Sequence, residues 1–461
     1  MRAGTNVTVT ITNYDGGIAT TPQRVVTPSN VEDLQAAMRD TTRYPSPLRP
    51  MGSFHSLTPC PASTGTVVRM ERMNRVLRID AESMTVTAEA GLQIGQLAAV
   101  LRKEGLQMLL NIEIGNATLG SLACCHSKDA MDGVEHGQVS SYVTRIKWVD
   151  PSGELQEASE DQDPDLLYLV RSSYGLSGVC YEVTLRVKPV EIIKFDYEVH
   201  DSRKLTQRHV DEVAGRNEAM VCWTIGRTTV VQTRNHAERL QRAWLARLRR
   251  LAWTRVGAFV GRNIRRHTPA GVVRNVIETA WLGCQKLIYR SLSAIDGFSL
   301  YGPDKIMNYR DTPPSARYAF TFWAFPFDQW VENLRAYLEF SEDHFRRYGF
   351  RCNMPLGSYF IKKDASSVLS YTHDGDVLSL DPIHAYRAED QEEWHRFLRE
   401  FNAWAHARGG IPLINQSPFV DHEQVVAAYG ARWQRFSDWV ATVDPDRRMQ
   451  NGFFSGLLID R

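Results

Sequence analysis

Residues 49–56 read Arg-Pro-Met-Gly-Ser-Phe-His-Ser. A short turn carrying Gly52 and two serines can aim successive backbone N–H groups at a diphosphate, forming an anion-binding nest that needs no formal charge. His55 in such a turn is either a hydrogen-bonded loop residue or a reactive imidazole, and the turn alone does not decide between them. Working outward, two more stretches share its small-residue chemistry. Residues 116–127, NATLGSLACCHS, let the backbone approach a flat ring while hydroxyls and N–H groups meet its polar edge. Residues 174–179, YGLSGV, precede YEVTLRV and offer another place where backbone can come close to a nucleotide.

The elements between these stretches alternate strand and helix. Val7 to Ile11 and Arg24 to Thr27 read as strands, and Ser29 and Asn30 offer N-caps to the helical pattern VEDLQAAMRD. SMTVTAEA alternates with a period of two, as a half-buried strand does. After Gly91, QIGQLAAVLRKEG places Ile94, Leu97, Ala98 and Leu101 on one helical face. VTRIKWVDPSGELQEA predicts a hairpin turning at Pro151, Ser152 and Gly153, DPDLLYLVRSSYG a short helix, and VCYEVTLRVKPV a closing strand. A boundary near Pro189 follows, because composition changes soon after.

The order of the three small-residue stretches is the specific signal. His55 in the first turn, MNRV at 73–76, the segment ending in His126, then G-x-x-G-V-x-x-E-V-T-L together resemble the FAD-binding (PCMH-type) domain of the vanillyl-alcohol oxidase superfamily. The likeness is best to the sugar-lactone and alditol oxidases and more distant to decaprenylphosphoryl-ribose oxidase. It implies an α+β chain: an FAD-binding domain over residues 17–190, a substrate domain over 191–408 with an antiparallel sheet flanked by helices, and a segment 409–461 returning to the flavin domain. The C-terminal GARWQRFSDWVATVDPDRRMQNGFF resembles the family's closing helix and its Asp-Pro-x-x-x-x-x-Asn tail.

Carried over residue by residue, the resemblance assigns Met51, Gly52, Ser53, Phe54, His55 and Ser56 to the pyrophosphate-binding turn. His55 falls where related oxidases bond flavin covalently through imidazole. Thr118, Gly120, Ser121 and His126 match the segment lining the isoalloxazine and diphosphate, and Gly178, Val179 and Val183 the motif holding the adenine end. Berberine-bridge-type enzymes add a second link through a Cys, where this chain has Asn116. One covalent bond, through His55, is the expectation. A linked flavin is more electron-poor, which favours hydride uptake from an unactivated alcohol carbon, while the protein supplies orientation, charge and proton transfer.

The match fails in the substrate domain. Sugar-lactone oxidases carry His-Trp-x-Lys after Gly-Gly-x-Pro, but here Gly409-Gly410-Ile411-Pro412 is followed by Leu413-Ile414-Asn415-Gln416, so Gln416 stands in the lysine position. The family's Glu-x-Arg pair falls at Gly357-Ser358-Tyr359. Glutamine keeps a hydrogen-bond donor and loses the fixed charge that could stabilise a developing alkoxide. The expected catalytic set is His126, Gln416 and Tyr359, with Lys362, His373 and His384 as further candidates for the base.

Composition narrows the alternatives. With 461 residues, 43% apolar, and 54 basic against 53 acidic side chains, the chain has material for more than one core and no global field for gathering nucleic acid. Seven cysteines without a C-x-x-C pair read as reduced thiols, and His126, His136, Cys124 and Cys125 lack zinc-ligand spacing, so no metal is expected. Asp129, Asp132 and Glu135 read as a solvated or active-site loop, and Trp323, Phe325 and Phe327 as core or pocket wall. The start of the chain lacks a secretory pattern, which predicts a cytoplasmic protein. Residues 239–274 hold ten Arg and no acid, with Trp244, Leu245, Leu248, Val256 and Phe259 near helical spacing. This basic amphipathic pattern suits either a helix pair covering the domain's own core or peripheral contact with an anionic membrane.

The resemblance therefore implies an FAD-dependent oxidoreductase acting on a CH–OH group of a small polyol, sugar lactone or related metabolite. Oxygen is the expected acceptor, Gly120 leaving room for it, with a quinone as the other. The alternatives are a membrane-surface dehydrogenase acting on an amphipathic substrate and a flavin-binding protein without oxidase activity. Oligomeric state is not readable.

Overall fold

The computed structural model describes residues 9–130, 133–268, 271–307, 313–386 and 390–459. Asp132, placed above in a loop, lies outside them, as do residues 7 and 8 of the expected first strand. The strand at that end is Ile11–Thr12, paired antiparallel with Ala19–Thr20.

Three sheets organise the chain. Strands Arg24–Val26, Thr66–Arg69 and Leu48–Met51 form a parallel sheet with Thr66–Arg69 at its centre. Helix Val31–Arg39 packs beside it because Asn30 accepts the Asp33 N–H as N-cap and Leu34, Ala37 and Met38 are buried on one face. The second sheet has six strands, all antiparallel: Val76–Asp80, Thr85–Glu89, Val179–Pro189, Val143–Val149 and Leu155–Ser159 in order, with Leu106–Met108 also pairing Val179–Pro189. Helix Ile94–Lys103 covers it with the four apolar residues that the sequence spacing selects.

The third sheet is antiparallel with eight strands. Ile192–Asp201, Thr228–Ala237, Ala219–Ile225, Leu356–Ile361, Val377–Leu380 and Trp323–Pro326 run across it, edged by Phe298–Tyr301 and Ile411–Pro412. Helices Trp330–Tyr348 and Gln391–His406 lie on one face. Trp394, Phe397, Leu398, Phe401 and Ala405 recur at helical spacing and meet Trp323, Phe325 and Trp330 in one buried cluster. Each such aromatic contributes about 1.5–3 kcal/mol of burial. Phe327 falls just past that strand and opens a 3₁₀ turn.

Contacts cross two of the expected boundaries. The segment 409–461 does not return at once to the flavin side: Ile411–Pro412 first pairs with Trp323 and Ala324 as an edge strand, a position where proline's missing N–H is tolerated. Helices His422–Tyr429, Ala431–Val443 and Gly452–Leu457 then share a core with Leu34, Met38 and Leu48. At the other end, residues ahead of 17 also touch the turn. Asn13 donates its side-chain amide to the Ser56 carbonyl (3.1 Å) and Tyr14 its N–H to the Phe54 carbonyl (2.9 Å).

The arginine-rich stretch forms helix Ala243–Leu251, a π-helical turn Ala252–Gly257 and helix Ala258–His267, followed by helix Val272–Ser293. Leu245 and Ala258 are buried, whereas Trp244, Leu248 and Phe259 are exposed.

Candidate active site and cofactor cavity

One cavity runs from the Arg49–Leu57 turn, past Ala117 to Ser121 and Tyr174 to Gly178, to a cap end formed by Lys128, Tyr318, Phe320, Tyr359, Ile383, Asn415 and Gln416. The turn is set by the strand Leu48–Met51 that precedes it and by backbone geometry: Phe54 has φ 52°, a left-handed conformation costing a non-glycine residue about 1–2 kcal/mol. A side chain at position 52 would have no room, since its Cβ would stand 2.4 Å from Ser121 Oγ and 2.6 Å from Thr118 Oγ1. Gly178, at φ 130°, brings the third stretch equally close, with a Cβ falling 2.1 Å from the Val149 carbonyl oxygen.

Arg49 pins these pieces together. It is fully buried, and its guanidinium donates to the carbonyls of Cys60 (3.0 Å), Gly175 (3.3 Å), Met449 (2.7 Å) and Tyr174 (2.5 Å). Burial pulls its pKa down to about 10, so it stays charged at neutral pH. Asn451, the asparagine of the C-terminal tail, donates to the carbonyls of Pro59 (2.9 Å), Cys60 (3.2 Å) and Ala62 (2.8 Å) from the other side.

His55 stacks on Tyr14 with ring centroids 4.9 Å apart, and its Nε2 lies 2.8 Å from Asn116 Oδ1. An amide oxygen only accepts, so in the neutral ring Nε2 carries the proton and Nδ1 the lone pair. Asn116, at the position where some relatives carry a second linking Cys, therefore orients the imidazole. The nearby thiols of Cys60 and Cys125 are pushed up by burial, which leaves them unreactive.

The other site residues sort clearly. Met51, Gly52, Ser53, Phe54, His55, Ser56, Thr118, Gly120, Ser121, His126, Gly178, Tyr359 and Gln416 all line the cavity. Val179 and Val183 do not: both are fully buried in strand cores, Val183 against Ala88 and Ile146, and Cys180 between them faces the cavity instead. Gly120 is small for packing, because a Cβ there would meet Ala90 Cβ at 2.8 Å; the space it leaves is already filled rather than kept open for oxygen.

His126 is poorly placed as a base. Its Nε2 bonds Ser367 Oγ (2.7 Å), its Nδ1 lies 3.3 Å from the Tyr174 hydroxyl, and burial lowers its pKa to about 3. Tyr359 is held as the neutral phenol by burial, which raises its pKa well above the ordinary value. The side-chain oxygens of Asn415 and Gln416 are buried without a hydrogen-bond partner. Lys362 and His373 sit away from the cavity lining, and His384 is a core residue stacked on Trp394 (5.4 Å).

Sequence reasoning missed the charges at the cap end. Lys128 pairs with Asp381, which is fully buried, and its ammonium lies 4.2 Å from the Phe320 ring centroid and 5.0 Å from those of Phe322 and Tyr359. Its nearness to His126, two residues on in the small-residue segment, was the signal available. Away from the cavity lining, Glu198, His200 and His209 meet at the surface, with Glu198 Oε2 3.2 Å from His200 Nε2 and 3.6 Å from His209 Nε2.

Such a cavity, small-walled along one side and polar at the far end, fits a flavin dinucleotide: the glycine at 52 and the nest at Phe54 leave room and donors for a diphosphate. The comparisons place the chain in this class. Residues 22–159 match the family model described as FAD binding domain. Residues 183–457, more than half of the chain, match D-arabinono-1,4-lactone oxidase, and the chain belongs to that family. Curated relatives include the mitochondrial L-galactono-1,4-lactone dehydrogenase of Arabidopsis thaliana, 27% identical over 43% of this chain and 32% of that protein, and the L-gulonolactone oxidase of Bos taurus, 26% identical over 36% and 38%. L-gulono-1,4-lactone dehydrogenase of Mycobacterium tuberculosis is 27% identical over 45% and 47%. The matches thus span less than half the length of these relatives. Cholesterol oxidase from B. sterolicum shares the fold, with TM-score 0.74 over 99% of each chain at 14% identity.

Proposed function

We propose that this protein is an FAD-dependent oxidoreductase that oxidises a CH–OH group of a small polyol, sugar lactone or related metabolite, with oxygen as acceptor. FAD, when bound, supplies a two-electron acceptor for the hydride of that group. Met51 to Ser56 and Thr118 to Ser121 would hold its diphosphate and ring system. His55, oriented by Asn116, would carry the covalent link at Nδ1. At the cap end the Tyr359 phenol donates to a substrate oxygen, and the unpartnered Asn415 and Gln416 oxygens accept from substrate hydroxyls. His126 holds Ser367 and Tyr174 in place behind them.

The observation that carries this reading is the continuity of the cavity from the Gly52–His55 turn to a hydroxyl-sized set of unpaired polar groups. The test is whether purified protein is yellow, whether the colour survives acid precipitation, and whether His55→Ala abolishes that retention. Anaerobic mixing with a polyol and sugar-lactone panel should bleach the flavin. Bound flavin that no member bleaches argues instead for a flavin-binding protein without oxidase activity, and bleaching without peroxide on aeration for a dehydrogenase passing electrons to a quinone.

A second reading concerns where the enzyme works. No helix among the described residues is long and apolar enough to cross a membrane. Yet among the described residues twelve of the nineteen exposed large apolar side chains lie between Leu240 and Ile288, including Trp244 at 62%, Leu248 at 54% and Phe259 at 45%. They share this surface with exposed Arg247 and Arg255. Arg249 does not belong to the patch: its side chain turns inward, 3.8 Å from Glu113. Apolar burial plus basic attraction of about 1 kcal/mol per arginine suits peripheral docking on an anionic bilayer. Wild type should sediment with phosphatidylglycerol vesicles, and a Trp244→Ala, Leu248→Ala, Phe259→Ala variant should stay in the supernatant; equal sedimentation removes this reading.

A further inference from the structure

Gln416 leaves the cavity without the cation that the family's motif supplies at that position, and a different lysine faces the same space. Lys128 comes from the segment after helix Leu119–Cys124, on the flavin side of the cavity, and lies beneath Phe320 and Tyr359, which also line it. Its side chain is 12% exposed and its carboxylate partner, Asp381, 0%. Asp381 stands behind the lysine and does not line the cavity. The two carboxylates that do line it are matched elsewhere: Asp129 by Arg234 (3.1 Å) and Lys305 (3.2 Å), Glu113 by Arg234 (3.9 Å) and Arg249 (3.8 Å). Asp129 and Glu113 are thus engaged by other cations, and among the described residues Lys128 is the cation that the cap end presents to the cavity.

We propose that Lys128 takes over the role of the absent lysine, its ammonium holding the oxygen of the substrate's reacting CH–OH group as negative charge develops there, the hydride leaving to the bound FAD and the hydroxyl proton to water at the cap end, with Asp381 as the residue that positions the lysine. A preorganised cation in a water-poor site stabilises such charge far better than one in bulk solvent. The rings of Phe320, Phe322 and Tyr359 add attraction without neutralising the charge. Burial lowers the lysine's pKa against the opposing pull of Asp381, Asp129 and Glu113, which face it from the neighbouring segments. The arrangement also defines a ligand class. A cap end with a presented cation and unpaired amide oxygens suits polyhydroxylated molecules carrying an electron-rich oxygen, and an aldonate anion should bind as a competitive ligand.

This rests on the oxidoreductase reading above, and the test separates the two. Isothermal titration of the purified holoprotein with D-gluconate and with neutral D-sorbitol is compared across variants. Lys128→Met should weaken gluconate by roughly tenfold or more, the loss of one charge-assisted hydrogen bond, and sorbitol by less than about threefold. Asp381→Asn removes the lysine's counter-charge and should tighten gluconate, a direction that a folding defect does not imitate. In the Lys128→Met background, Gln416→Lys should restore gluconate affinity and turnover together. Unchanged gluconate affinity in Lys128→Met protein that keeps its flavin overturns the inference alone, as does a failed rescue by Gln416→Lys. Protein that never binds flavin overturns the reading beneath it.

Discussion

Arg49→Met tests how the site is held. Methionine fills much of the volume of the arginine stem and removes the guanidinium. Cys60 O keeps Asn451 as a donor, at 3.2 Å, but the carbonyls of Tyr174, Gly175 and Met449 lose the donor that Arg49 gave them. A buried carbonyl deprived of its donor costs about 1–3 kcal/mol, and part of the total is offset because the variant has no guanidinium to desolvate. The guanidinium also lies 4.9 Å from the Phe454 ring centroid, a contact that the variant loses. The expected net loss is about 3–5 kcal/mol. It should fall on the flavin-side core rather than the eight-stranded sheet, because all four carbonyls belong to the former. Urea unfolding, followed by tryptophan fluorescence and by release of flavin in parallel, measures it. Arg49→Lys should fall between wild type and Met, since an ammonium reaches fewer of the four acceptors. A Met variant within about 1 kcal/mol of wild type, still retaining flavin, refutes the view that one side chain clamps the turn, the Tyr174–Gly175 segment and the tail.

Other outcomes are expected. Gly52→Ala must part the Thr118–Ser121 hydroxyl pair, now 2.5 Å apart, so FAD affinity measured in a His55→Ala background should drop at least about tenfold while circular dichroism stays unchanged. His126 has a folded-state pKa of about 3 against an ordinary 6.5, so the stability it contributes is present above pH 6.5 and is lost as pH falls toward 3. That contribution has a slope approaching 1.4 kcal/mol per pH unit. His126→Gln should flatten this part of the acid-unfolding curve, and an unaltered slope contradicts the assignment. Gly178→Ala forces a Cβ to within 2.1 Å of a backbone carbonyl at a φ that L-residues avoid; soluble expression should fall sharply, and wild-type yield and melting behaviour would show that the turn can relax.

Much of the flavin side was legible because its signals are local. Gly52, the hydroxyls at 118 and 121 and the glycine at 178 do their work through backbone proximity, which short motifs record faithfully. The helical face of Ile94, Leu97, Ala98 and Leu101 was readable for the same reason. What stayed hidden depends on long-range meeting. Lys128 and Asp381 are 253 residues apart, and Arg49 reaches a carbonyl 400 residues away. The Arg-rich stretch showed its helical period, but nothing in that period tells that Arg249 turns inward to Glu113 while Arg247 faces out. Val183 misled because a match to a motif does not reveal which face of a strand a side chain takes, and pairing beside Ala88 and Ile146 puts it in the core. Gly120 misled differently: its smallness was assigned to gas access when Ala90 already requires it.

The bonds from Met449 and Asn451 back to the turn around residues 59–62 carry a consequence for biogenesis. On a ribosome, the cradle at Gly52 to Ser56 emerges early but lacks its fasteners until some four hundred further residues have been made. The cradle can therefore take its finished shape only after the segment around residues 449–451 has been made, however early its own residues emerge.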